Sequence, residues 1–168
     1  MKTPICDICL KSGILCSGCR EKLNSGLITD LDVLVSKQLF LLSGEYNIPR
    51  TITFFKAFEE GGAVIVVVNA EDVGSIIGKG GKIIKQLQRN IGQKVRVVAH
   101  TTDSKKIAED LLYPARVTGV NRLYLPSGEI RKKLRIHMRD KKKLPMDLKS
   151  VETIIQKMTN ESVEIIAE

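Results

Sequence analysis

The chain has 168 residues, room for one medium domain or two to three small ones. Hydrophobic residues make up 43% and charged residues 27%, the balance of a globular protein with a real core, and no apolar run approaches a membrane span. The formal net charge of +8 favours a polyanionic partner, and nucleic acid over membrane, because no basic amphipathic helix with an apolar face is present.

No secretory h-region opens the sequence, and the expected location is the cytoplasm. The chain has no Trp, three Tyr and four Phe, too few rings for a protein that grips RNA mainly by aromatic stacking.

All four cysteines come first, as Cys6-x-x-Cys9 and Cys16-x-x-Cys19. Two such pairs this close suit one tetrahedral zinc held by four thiolates, with Gly13 and Gly18 supplying turns. A segment too short to bury a core is then held by metal, and a closed site of four thiolates does no chemistry. Two disulfides are disfavoured by a reducing compartment, and a redox Cys-x-x-Cys lacks its strand–helix context. Lys11, Arg20 and Lys22 beside the cluster read as solvated charge or as RNA contacts.

Arg20 to Gly26 reads as a connector. Thr29 or Asp30 then caps a helix that Gly44 ends. Its apolar residues, Leu31 to Leu42, are too many for one stripe, so it packs with two faces. Thr51 to Phe58 reads as a strand, Glu59-Glu60-Gly61-Gly62 as a hairpin turn, and Ala63 to Val68 as a strand covered on both sides.

The centre of the sequence is Val73-Gly74-Ser75-Ile76-Ile77-Gly78-Lys79-Gly80-Gly81-Lys82-Ile83-Ile84. A Gly-x-x-Gly loop lies between two helical stretches, the second running to Ile91, and a strand follows from Val95 to Ala99. Such a loop can lie against a sugar–phosphate backbone because glycine has no Cβ. It also opens a helix whose first amides are unpaired and carry partial positive charge. Lys79, Lys82, Lys85 and Arg89 add formal charge, and Ile76, Ile77, Ile83 and Val97 are expected to form an apolar groove for bases. A dinucleotide fingerprint fits less well, since Ile83 stands where its third glycine belongs.

Thr102 or Asp103 caps the next helix, which Pro114 ends. Arg116 to Leu125 reads as a strand, Pro126-Ser127-Gly128 as its turn, and Glu129 to Arg139 as a basic strand with Leu134, Ile136 and Met138 on one side. A helix from about Asp147 to Met158 and a strand from Ser162 to Ile166 complete the chain. The second half repeats the first at an offset of 68 residues, which carries Asp72 to Asp140 and Val95 to Val163. At that offset the glycine loop lands on Met146-Asp147-Leu148-Lys149, with no glycine and with an acid that repels phosphate.

The order of strand, helix, Gly-x-x-Gly, helix and strand resembles a KH domain. With a helix and strand placed before the core strand in both repeats, the chain resembles tandem type II KH proteins of the NusA-like type. The match rests on Ile76-Ile77-Gly78-Lys79-Gly80-Gly81-Lys82-Ile83 and on the run from Ala108 to Val117. It implies an α+β fold of two tandem type II KH domains, each a three-stranded mixed sheet packed by helices, behind a small zinc module. The expected boundaries are 1–26 for the module, 27–101 for the first domain and 102–168 for the second, with its degenerate loop.

The resemblance implies a non-enzymatic protein that binds single-stranded RNA in transcription elongation or termination, with RNA polymerase or the ribosome as partner and no small-molecule substrate. Arg131, Lys132, Lys133, Arg135, Arg139, Lys141, Lys142 and Lys143 form an expected secondary basic surface, or else a solvated face. The chain departs from the bacterial protein in lacking an S1 domain and a separate polymerase-binding domain. A ribosome-assembly protein would use the same surfaces. A protein-interaction scaffold would instead use the zinc module and the Leu31–Leu42 helix. Neither His100 nor His137 has neighbours in sequence that suggest a catalytic triad.

Overall fold

Two three-stranded sheets form in the computed structural model, which describes all 168 residues. The chain divides into two compact units, Met1–His100 and Thr101–Glu168, and the cysteine segment belongs to the first. No helix is long and apolar enough to cross a membrane.

The first unit opens with two short helices, α1 (Asp7–Ser12) and α2 (Ser17–Asn24), each begun by a cysteine at its N-cap. The stretch expected as a connector is thus largely helical. Gly18 lies inside α2, and only Gly13 makes a turn, at φ 75°. Helix α3 (Asp30–Glu45) follows from a capping box in which Thr29 and Asp32 bond each other's amides. Gly44 does not end it; the helix runs one residue further and Tyr46 closes it.

Helix α3 has two buried faces, as its apolar excess requires. Val35, Leu39 and Leu42 join the sheet core, whereas Val33 and Phe40 pack with Ile5, Cys9, Leu10, Cys19 and Ile28 in a second, smaller core. Lys37 Nζ donates to the Gly13 carbonyl at 2.8 Å, a further tie between α3 and the cysteine segment.

Strands β1 (Phe54–Glu60) and β2 (Ala63–Val68) pair antiparallel, and β3 (Lys94–Ala99) joins β2 in parallel. Glu59 and Glu60 belong to β1, so the turn is only Gly61-Gly62, both at positive φ as a two-residue hairpin turn demands. Strand β1 starts later than its sequence suggested, and its register slips between Phe54 and Lys56. That bulge leaves Phe55 outside the ladder. Strand β2 is buried along its whole length.

The buried carboxylate of Asp32 joins helix to sheet. One oxygen accepts from the Thr29 amide at 2.9 Å, and the other from the buried Ala57 amide of β1 at 2.6 Å. Asp32→Ala strands both donors and leaves only the Thr29 half of the capping box, at an expected cost of about 2–4 kcal/mol. Urea unfolding of the first unit checks this, and an unchanged midpoint would contradict it.

In the second unit, helix α6 (Ser104–Leu112) follows helices α4 (Val73–Ile77) and α5 (Lys82–Ile91) of the first. Strands β4 (Val117–Tyr124) and β5 (Ile130–Ile136) pair antiparallel, and β6 (Ser162–Ala167) joins β5 in parallel. Helix α7 (Leu148–Thr159) buries Val151, Ile154 and Ile155. Strand β5 ends at Ile136, short of the expected Arg139. Met138, placed on the core side by alternation, is exposed in a 3-10 turn over Met138–Lys143.

The two sheets share one register. Pairing of β2 with β3 runs from Ala63–Lys94 to Val68–Ala99, and pairing of β5 with β6 runs from Arg131–Ser162 to Ile136–Ala167, each residue displaced by 68. Strand β4 carries a bulge as well, between Val117 and Gly119, matching that of β1 at an offset of 63. The five-residue difference is absorbed by the longer hairpin between β4 and β5.

Candidate nucleic-acid interface

The loop between α4 and α5 is built by backbone conformations that side chains resist. Gly78 has φ 75° and ψ 168°, and Gly80 and Gly81 have φ 65° and 72°. A Cβ on Gly78 would meet Ile83 Cγ1 at 2.7 Å, so this glycine is required by packing as well as by φ. Gly80 faces open space. Gly81 is the N-cap of α5 and offers no side chain to its first amides. The Gly81 and Lys82 amides are used within the turn, by the Gly78 and Lys79 carbonyls, and the amides that follow receive no side-chain cap, the arrangement that leaves helix-start donors for a phosphate oxygen.

Charge surrounds this opening. Lys79 is exposed in the loop, and Lys82, Lys85 and Arg89 are exposed on one face of α5. Lys82 Nζ lies 5.9 Å from the Tyr46 ring centroid, a cation–π contact that steadies it near the helix start. The opposite face of α5 buries Ile83 and Leu87 and packs Ile84 and Ile91 against the sheet core, so α5 is a basic amphipathic helix after all, contrary to the sequence reading, with its apolar face taken up by the core.

The expected apolar groove is corrected here. Ile76 is fully buried, and Ile83 and Val97 belong to the same core, so their side chains hold α4, α5 and β3 together and present nothing to a base. Of the four residues named, only Ile77 keeps partial exposure. The periodicity that marked these residues as apolar does not say which side of a two-helix layer they face.

The equivalent start in the second unit is closed. Asp147 caps α7, accepting from the Ser150 amide at 3.1 Å and from the Ser150 hydroxyl at 2.7 Å. The Ser150 bonds hold its carboxyl below the usual range. A carboxylate thus already occupies the position a phosphate would take.

The secondary basic surface divides in two. Lys132 is not free: its Nζ bonds both Glu161 carboxylate oxygens, at 2.9 and 2.8 Å, and lies 3.4 Å from the Ser104 hydroxyl. The Lys132 bond, then that of Ser104, holds the Glu161 carboxyl below its ordinary range. Arg135 donates to Asn121 Oδ1 at 2.8 Å and pairs with Glu168 at 3.8 Å. Arg131 and Lys133 are half-buried on the same strand. Arg139, Lys141, Lys142 and Lys143 are exposed in and around the 3-10 turn.

The four cysteine sulfurs all lie within 4.8 Å of one another. Cys6 and Cys9 are 3.4 Å apart and Cys6 and Cys16 are 3.9 Å apart. Thiolates about 2.3 Å from a tetrahedral metal stand about 3.8 Å from each other, so the cluster fits one such ion. Backbone amides already point at the sulfurs: Cys16 N donates to Cys9 Sγ at 3.0 Å, and Cys6 N to Cys19 Sγ at 3.4 Å. The Cys19 amide, with the neighbouring thiols, lowers the Cys16 thiol to about 6. Against the pull of the Cys16 amide, burial and the neighbouring thiols push Cys9 up to about 12.

Comparison with known proteins places this geometry in a wider group. A family model described as the KH domain matches residues 58–121. The crystal structure of the protein APE1850 has a TM-score of 0.53 and 21% identity, over 77% of this chain and 96% of that one. At that identity the likeness is one of fold. No curated protein matches the sequence.

Proposed function

Since the chain carries a KH domain over residues 58–121, we infer that it binds single-stranded RNA through the loop Gly78-Lys79-Gly80-Gly81. The observation that carries this reading is the pairing of three positive-φ glycines with the uncapped start of α5. The loop backbone meets the sugar–phosphate chain, and Lys79, Lys82, Lys85 and Arg89 neutralise phosphates. The protein is not an enzyme, acts in the cytoplasm, and takes no small-molecule substrate.

The two-fold repeat at 68 residues supports two tandem type II KH domains, of which only the first keeps an open clamp. The cluster of Cys6, Cys9, Cys16 and Cys19 holds one structural zinc, which would fix the cysteine segment and supply no catalysis. With the sequence resemblance, this arrangement favours a transcription elongation or termination factor of NusA-like type. Crosslinking in cells followed by sequencing of bound RNA tests that context. Nascent transcripts are the expected catch, and ribosomal RNA alone would replace transcription with ribosome assembly.

A further inference from the structure

We propose that Phe55 and His100 form a shelf on which one unpaired base of a single-stranded RNA stacks. The proposal rests on the RNA-binding reading above and adds to it a site for a base rather than a phosphate. The two rings lie with centroids 4.1 Å apart and planes 21° from parallel. Phe55 is 40% exposed and stands apart from Phe54, which is buried in the sheet core. His100 is exposed as well. Both rings keep exposed surface, and an aromatic face open to solvent is what an unpaired base stacks on.

The second unit supplies an internal control. Its bulge falls at Thr118, the counterpart of Phe55, and its last residue, Glu168, is the counterpart of His100. The backbone is the same in both places: His100 N donates to the Val68 carbonyl at 2.7 Å, and Glu168 N to the Ile136 carbonyl at 3.0 Å. Thr118 turns its hydroxyl onto the Arg135 carbonyl at 3.1 Å, closing the bulge on its own sheet. Bulge and strand end therefore form without aromatic residues. The rings are an addition in the unit with the open loop and are missing where Asp147 closes the helix start.

Reach is adequate. From Val68, which holds His100, the chain passes through Asn69, the turn Ala70–Asp72 and α4 to Gly78. That path spans at most about 20 Å, at the rises of extended, 3-10 and α-helical chain. An RNA longer than the roughly four nucleotides such a loop clamps can extend a base to the shelf. One stacked pair also suits a chain poor in aromatic residues, because a base needs only one ring face.

The test compares RNAs of about four and about ten nucleotides, the longer carrying 2-aminopurine at each position in turn. The variant Phe55→Thr/His100→Gln borrows the threonine of the second unit and adds no charge. Its thermal unfolding is expected to stay cooperative and to fall by a few degrees at most. Affinity for the longer RNA should fall roughly 5- to 100-fold, with the salt slope unchanged because no phosphate contact is lost. The four-nucleotide RNA should bind as before, and stacking-induced quenching at one 2-aminopurine position should vanish. Phe55→Trp should retain both affinity and quenching. Unchanged affinity and quenching in the double variant would overturn the shelf while leaving the loop reading intact. Equal loss with both RNAs would also overturn it, since the effect would then lie at the loop. No binding by wild type would remove both readings.

Discussion

Cys9→Ser is expected to empty the metal site and release α1 and α2 from the fold while the sheet of the first unit stays intact. Apart from the metal, the cysteine segment is held by a small core, the Lys37–Gly13 bond and the bridge of Lys2 to Thr53. Its core consists of Ile5, Cys9, Leu10, Cys19, Ile28 and Val33, two of them the ligands themselves. Helices α1 and α2 have six and eight residues. Isolated helices shorter than about 12–15 residues are marginal in water. Apparent zinc affinities in small four-ligand modules correspond to about 10–16 kcal/mol, and that binding energy is folding energy. By contrast, the sheet core of Val64, Val66, Val68, Leu39 and Leu87 does not include a cysteine.

Metal analysis of the wild type, purified without added zinc, should give about one Zn per chain, and Cys9→Ser close to none. Hydrogen exchange should then become fast over α1 and α2 and remain slow over β2. Two disulfides in the native protein, or protected α1 and α2 in a metal-free variant, would contradict the account.

The second large effect is expected at the glycine loop. Its sites are not equivalent targets. Gly78→Asp would drive a side chain into Ile83, so lost binding would report a damaged core. Gly80 has no atom within 4 Å of an added Cβ, and aspartate tolerates its positive φ better than most residues. Lys79 is exposed beside it. Lys79→Asp/Gly80→Asp therefore places bulk and negative charge where the RNA backbone passes and leaves the packing alone. Two charge-assisted contacts at about 1.5–3 kcal/mol each predict a loss on the order of 10²-fold or more in affinity.

Much of this architecture is legible in the sequence. Strand β2 was read residue for residue because a β-branched run between Gly62 and Asn69 admits one interpretation. The offset of 68 was visible in Asp72 and Asp140 and reappears in the pairing of β2–β3 and β5–β6. Helix α2 was missed because Cys-Arg-Glu-Lys-Leu-Asn has no apolar stripe, and its order comes from the Cys16 cap and the sulfur cluster. Gly44 reads as a stop, but glycine can also sit inside a helix whose packing outweighs its entropic cost of about 1 kcal/mol.

At the candidate site, the tight glycine turn and the exposure of its cations are legible in the sequence, and the burial of the aliphatic residues is not. Ile76 and Val97 carry the right composition for a base-contacting floor, but their burial depends on how α4 and β3 pack. Lys132 looked like surface charge because its partners, Ser104 and Glu161, are 28 and 29 residues away in the chain. The contact of Phe55 with His100 joins residues on opposite sides of β2 and was likewise out of reach. The bulge that frees Phe55 has no signature in Phe54-Phe55-Lys56.

The most direct measurement is binding of wild type and Lys79→Asp/Gly80→Asp to a random single-stranded RNA pool across a salt series. Wild type should bind, and the variant should lose affinity at every salt concentration, with a shallower salt slope and cooperative thermal unfolding lowered only by the roughly 1–2 kcal/mol of positive-φ strain at residue 80. Equal binding by the two proteins, with the same steep slope, would contradict the account and move the RNA to the cations at Arg139 and Lys141–Lys143 or to the cysteine segment.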